Sequence, residues 1–259
     1  MIKLPSLFSN NTKWLEQQQT SILSAATIIS IASIISAFSG LLIKRVLIAR
    51  FFDTTASQEA LEAFWVAFQI PDMMFQLIVL GALSAAFIPI FTSRKKTDPE
   101  EAFIMSSIMM NVLLAIFLAV GVVVFIFARE ITLLRTGAQF TPEQITIVTN
   151  LTRIMLLAQF FFAISNFITG ILQSFQRFIL PALAPIFYNI GILIGVFALS
   201  NYLGIYAAGV GVVIGAALHM AIQFPLVLKL GFRYKLSFNL RYHGISEFFK
   251  LMRPRVFSI

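Results

Sequence analysis

Cysteine is absent from this 259-residue chain, and histidine occurs only as His219 and His243. The first absence excludes disulfides, thiolate metal sites and cysteine nucleophiles, and the second leaves no histidine-rich metal site. Charge is scarce too. Asp, Glu, Lys and Arg make up 12% of the residues, against about 25% in a soluble domain. That cannot wet the surface of a globule this size, so soluble enzymes, nucleic-acid binders and disordered tails are excluded, although the isoelectric point is near 10.1. No glycine-rich phosphate loop with a lysine, no HExxH and no serine–histidine–acid set is present. Neither enzyme chemistry, a metal nor a cofactor is expected. What the chain has is 59% hydrophobic residues and a mean hydropathy of +0.90. This is the composition of an integral membrane protein.

A spanning helix needs roughly 20 mostly apolar residues. Six stretches meet that length, near 22–48, 62–91, 102–128, 145–172, 180–200 and 204–228. Membrane-spanning backbone must satisfy its hydrogen bonds within the segment, so the predicted fold class is an all-α integral membrane protein with a six-helix transmembrane bundle. The polar breaks carry Asp53-Thr54-Thr55, Arg94 to Pro99, Thr136-Gly137 to Pro142, Gln176-Arg177 and Ser200-Asn201. Residues 1–20 are mostly polar and resemble no cleavable signal peptide. Basic residues concentrate on the cytoplasmic side of short loops. With the N-terminus inside, thirteen Lys and Arg fall in cytoplasmic segments and three, Arg50, Arg129 and Arg135, fall outside. Both termini are therefore expected in the cytoplasm. Three units follow: a cytoplasmic segment over 1–21, a six-span lobe over 22–235, and an amphipathic segment over 236–259. In the last, Phe248, Phe249, Leu251 and Met252 interleave with Glu247, Lys250, Arg253 and Arg255, as in an interfacial helix. The chain then stops at Ile259 as though interrupted.

Charges within apolar runs are the functional candidates, because a mid-bilayer charge costs about 2.5–3.5 kcal/mol and usually faces a cavity or partner. Lys44 and Arg45 lie late in the first run, with Arg50 beyond. Positions i+5 and i+6 point roughly 120–140° from i, so the three cannot share one narrow face. Arg50 snorkels to the headgroups, while Lys44 and Arg45 either anchor the helix end or bind an anionic, phosphate-bearing substrate. Glu62 opens the second run, either complementing the helix dipole or pairing with the first helix's cations. Asp72 follows Pro71, where the proline frees a carbonyl and a polar neighbour is expected. Arg153 is an outer anchor or a cavity charge. Gln159 and Asn189 make interhelical hydrogen bonds or line a substrate path. His219 is expected to be a packed, hydrogen-bonded residue, and Gly209-Val210-Gly211 to permit close helix packing.

Several segments together carry a resemblance. Ala63-Phe64-Trp65-Val66-Ala67-Phe68-Gln69-Ile70-Pro71-Asp72, then Gly81-Ala82-Leu83-Ser84-Ala85-Ala86-Phe87-Ile88-Pro89, resemble the second helix of the MurJ/MviN lipid II flippases of the MOP exporter superfamily. Leu172-Gln173-Ser174-Phe175-Gln176-Arg177-Phe178, Pro181-Ala182-Leu183-Ala184-Pro185, Asn189, Phe140-Thr141-Pro142-Glu143-Gln144 and Gln223-Phe224-Pro225 agree with it. The resemblance covers essentially 22–255. It implies the first of two six-helix lobes, whose shared cavity carries lipid II, a lipid-linked diphosphate, to the outer leaflet of the bacterial cytoplasmic membrane by alternating access. The partner would be the second lobe or, for a chain that truly ends here, a homodimer mate. The family's first-helix arginine matches Ile43-Lys44 or Lys44-Arg45, which makes Lys44 a substrate-site candidate, with Arg45, Glu62 and Asn189 beside it. The adjoining acid is missing. A second-helix cavity arginine matches Phe75, and a nearby glutamate matches Leu80. Export of another lipid-linked sugar, or a truncated non-transporting subunit, are the alternatives; a cationic cavity argues against cationic drugs.

Overall fold

The computed structural model describes residues 14–76 and 86–256. Lys3, Lys13, Leu80 and the stretch 81–85 lie outside them. Among the described residues there are nine α-helices rather than six: α1 (Ile22–Phe51), α2 (Thr55–Phe75), α3 (Ile88–Thr97), α4 (Pro99–Ile126), α5 (Ala128–Thr136), α6 (Pro142–Ser174), α7 (Ile179–Leu203), α8 (Tyr206–Lys229) and α9 (Ile245–Val256). Five of them, α1, α4, α6, α7 and α8, are long and apolar enough to cross a membrane. The expected second span, 62–91, is represented by α2 and α3 on either side of the undescribed stretch. The protein is all-helical and multi-pass.

Helix starts are written in local chemistry. Asp98 accepts from the backbone N–H groups of Glu100 and Glu101 at 2.8 and 3.1 Å, with Pro99 as the first residue of α4. Thr141 and Gln144 form a reciprocal capping box at α6, with Pro142 at its first position. Both arrangements supply acceptors to otherwise orphaned donors and place proline where no N–H is needed. A second box, Thr54 with Ser57, starts α2 seven residues before the expected 62. Glu62 consequently sits two turns inside the helix, and it does not serve as a first-turn dipole partner.

α6 is the mast. Its 33 residues span about 50 Å and contribute to two cores. One joins Leu47, Phe64 and Val212 to Val148, Leu151 and Met155 of α6. The other surrounds Phe167 and Ile171 with Phe87, Phe91, Phe103 and Phe232. α7 and α8 meet backbone to backbone: a Cβ on Gly191 would lie 2.3 Å from the Gly215 Cα, and one on Gly195 would lie 2.3 Å from the Gly211 Cα. These two Gly-x-x-x-Gly pairs bring helices together where no hydrophobic contrast with lipid drives association. Gly211 stands at this backbone contact, while Gly209 faces α6 instead, where a Cβ would lie 2.7 Å from the Leu151 side chain.

The segment after α8 departs from expectation. It is helical only from Ile245, and Ile245 and Phe248 at the start of α9 are buried in the α3–α4 core, while Leu251 is exposed. Residues 233–239 lie beside α4 without regular secondary structure instead. Asn111 holds them, donating to the carbonyls of Lys235 and Ser237, both at 3.0 Å, and accepting from the Tyr234 hydroxyl at 2.7 Å.

Candidate functional site

α1 has few buried residues, Ala25, Ala32, Ile43, Leu47 and Phe51, and it is fastened to its neighbours by polar ties. Near its start, Gln19 donates its N–H to the Gln176 carbonyl and accepts from the Phe178 N–H, both at 2.9 Å. Midway, the Asn189 amide of α7 donates to the Ser36 carbonyl at 3.1 Å and to Ser39 Oγ at 2.6 Å. At its end, Arg50 bonds Ser200 Oγ at 3.0 Å and the Asn201 side chain. Asn189 thus makes an interhelical bond, and Arg50 is committed to α7 rather than to headgroups alone.

Between these ties, α1, α6 and α7 enclose a cavity of about 460 Å³ reached by Ser33 and Ala37 of α1, Thr169 and Gln173 of α6, and Pro181 and Pro185 of α7. At about 100° per residue, Ser33, Ala37 and Lys44 lie within roughly 40° of one another. Lys44 is about 10 Å further along the same flank of small and hydroxyl residues. Arg45 points about 100° away, on the side of Ile34, Phe38 and Leu41, which are 65%, 75% and 62% exposed. Lys44 and Arg45 therefore occupy different faces. Both are exposed, as is Glu62, and none of the three makes an ion pair among the described residues.

Pro71 leaves the Ala67 carbonyl without its helical donor, and the Thr152 hydroxyl of α6 reaches that oxygen at 3.4 Å. Asp72, expected to serve the kink, instead accepts from Gln76 in its own helix at 2.7 Å. Gln159 is buried in α6. Phe75 is buried as well, its ring 6.1 Å from that of Phe162, so the position matched by a cavity arginine lies in the core. Arg153 donates through Nε to the Phe125 carbonyl at 3.0 Å and lies over the Phe125 ring at 5.2 Å.

A polar cluster joins α6 to α8 next to the cavity. Ser165 Oγ lies 2.7 Å from His219 Nδ1. Gln223 donates to Ser165 Oγ at 2.9 Å and accepts from the Thr169 hydroxyl at 2.8 Å. Thr169 therefore links this α6–α8 network to the cavity wall. Its sequence signal is Ser165 and Thr169 at i, i+4 facing His219 and Gln223 at i, i+4.

The family model described as lipid II flippase MurJ matches residues 48–259, a range that begins just after Lys44 and Arg45. The lipid II flippase MurJ of Burkholderia cenocepacia is 29% identical over 226 residues, covering 84% of this chain and 43% of that protein. The probable lipid II flippase MurJ of Treponema pallidum is 27% identical over 255 residues, covering 94% and 47%. The chain thus spans less than half the length of these relatives. A solved lipid II flippase MurJ in its inward closed conformation superposes with a TM-score of 0.69 at 27% identity, over 90% of this chain and 48% of that one. A MOP superfamily transporter from Pyrococcus furiosus, 16% identical, shares the fold with a TM-score of 0.65, over 96% of this chain and 55% of that one. With its all-helical bundle, its glycine-paired α7 and α8 and this match over most of its length, the chain belongs to the lipid II flippase MurJ family.

Proposed function

We propose that this chain supplies the N-terminal lobe, over 22–235, of a lipid II flippase in the bacterial cytoplasmic membrane, with both termini cytoplasmic. The lobe works against a second lobe by alternating access, and Lys44 contacts the substrate diphosphate. The observation that carries the reading is the flank of α1 that runs from the α1–α6–α7 cavity to the exposed ammonium of Lys44. Small and hydroxyl side chains there leave room for a headgroup, and a cation in an apolar run binds phosphate as a point charge. On this reading Arg45, over the large apolar side chains, anchors the helix; Glu62 stays solvated on α2; and Asn189 sets the angle of α1 instead of touching substrate. Phe75 in the core favours a second reading, export of a different lipid-linked glycan, since no cation stands at that position. The test is lipid II binding and flipping by the chain together with its second lobe, in vesicles, beside other polyprenyl-diphosphate glycans. Lys44→Ala is expected to weaken lipid II binding at least tenfold while Lys44→Arg retains it. Unchanged binding in Lys44→Ala refutes the assignment, and a preference for another glycan selects the second reading.

A further inference from the structure

A second amphiphilic site lies on the opposite side of α6 from the α1 cavity. α4 and α6 part to leave an outward-facing groove of about 390 Å³, floored by Gly121 and walled by Phe117, Phe125, Leu157 and Phe160, with Arg153 at one end. It follows α4 from Phe117 to Phe125, about 12 Å of helix rise, close to the depth of one leaflet of a ~30 Å hydrocarbon core. Arg153 is the one charged residue in its wall. Its Nε is used by the Phe125 carbonyl and its plane lies over the Phe125 ring, contacts that fix the guanidinium at the mouth. Both Nη groups are without an acceptor among the described residues. The four N–H donors they carry form the fork that matches a phosphate.

We propose that this groove binds an anionic glycerophospholipid of the surrounding bilayer, one acyl chain lying over Gly121 and the headgroup phosphate on the Nη face of Arg153. Charge complementarity selects the occupant. A guanidinium held at the end of an apolar trough of leaflet depth fits a molecule with a phosphate directly above a hydrocarbon chain. The site is separate from the Lys44 flank and does not depend on which substrate the lobe carries.

Native mass spectrometry of the full chain in detergent tests this, with phosphatidylglycerol and phosphatidylcholine of equal chain length titrated separately. Phosphatidylglycerol is expected to bind about fivefold more tightly, the ratio for one basic residue against an anionic lipid. Arg153→Gln removes that preference and leaves the dependence on acyl length. Gly121 lines the groove and a Cβ there meets nothing nearer than the Met74 methyl at 3.9 Å, so Gly121→Leu is expected to narrow the groove and weaken both lipids. Equal binding of the two lipids by the unaltered chain, a preference that survives Arg153→Gln, or displacement by millimolar inorganic phosphate would each overturn the proposal. Tighter binding of undecaprenyl phosphate than of phosphatidylglycerol overturns the choice of occupant. If Arg153→Gln fails to fold, Gly121→Leu decides alone, because unchanged lipid affinity there refutes the groove.

Discussion

Replacing Gly195 by alanine probes the contact that sets the α7–α8 geometry. The added Cβ would lie 2.3 Å from the Cα and 2.6 Å from the N of Gly211, and 2.9 Å from the Ala207 carbonyl oxygen. All three are backbone atoms, which cannot swing aside as a side chain does. Ordinary contact begins near 3.4 Å, so the helices must part by about an ångström, and the Gly191–Gly215 contact one turn away opens with them. A gap of 0.5–1 Å forfeits roughly a quarter to a half of each dispersion contact, and lipid provides no hydrophobic gain to compensate. Overpacking of this kind typically costs about 1–3 kcal/mol. Alanine's better helix propensity returns at most ~1 kcal/mol, so the overlap wins and a net loss of about 1–2 kcal/mol is expected. The assay is reversible unfolding of the purified chain in mixed micelles of increasing SDS fraction. Gly40→Ala is the control: its Cβ meets nothing within 4 Å, and it is expected to be neutral or slightly stabilising. If Gly195→Ala unfolds at the wild-type SDS fraction, or if Gly40→Ala is equally damaging, the contact does not carry the stability assigned to it.

Three further changes have signs fixed by local geometry. Asn111→Ala removes three bonds to a segment whose Tyr234 and Lys235 are exposed, so water replaces part of them and the cost is about 1–2 kcal/mol; trypsin should then cut faster at Arg233, Lys235 and Arg241, and an unchanged cleavage rate would count against the clamp. Gln176 has φ 58° in the turn between α6 and α7, a conformation costing a side-chain-bearing residue roughly 1–2 kcal/mol, so Gln176→Gly should raise the midpoint of thermal unfolding. Asn189→Ala removes both bonds to α1. Interhelical bonds of this type average ~0.6 kcal/mol in membranes, so stability should fall by no more than about 1 kcal/mol while disulfide crosslinking between cysteines introduced on α1 and α7 slows measurably; unaltered crosslinking would refute the tie.

Much of this molecule is determined along the chain itself. Hydropathy alone locates the five long apolar helices found among the described residues, because each must satisfy its own backbone and cover itself in apolar side chains whatever lies beside it. Asp98-Pro99-Glu100-Glu101 and Thr141-Pro142-Glu143-Gln144 fix the starts of α4 and α6 through bonds confined to four residues. The family, too, was legible in motifs such as Leu172 to Phe178. Rotation and partnership were not. The sequence shows a free carbonyl behind Pro71, but only the packed bundle brings Thr152 to it instead of Asp72. Lys44 and Arg45 are equivalent as neighbouring charges, and they part company only when the angle of α1 puts one on the cavity flank and the other over Phe38. The amphipathic α9 suits a lipid surface or a protein core equally well, and only contacts with α3 and α4 place Ile245 and Phe248 in the core. In each case the reason is the same. Lipid tails and buried side chains are equally apolar, so the hydrophobic pattern that reveals a soluble helix's inner face cannot distinguish them here, and the choice falls to shape and a few interhelical hydrogen bonds that exist only once the helices have met.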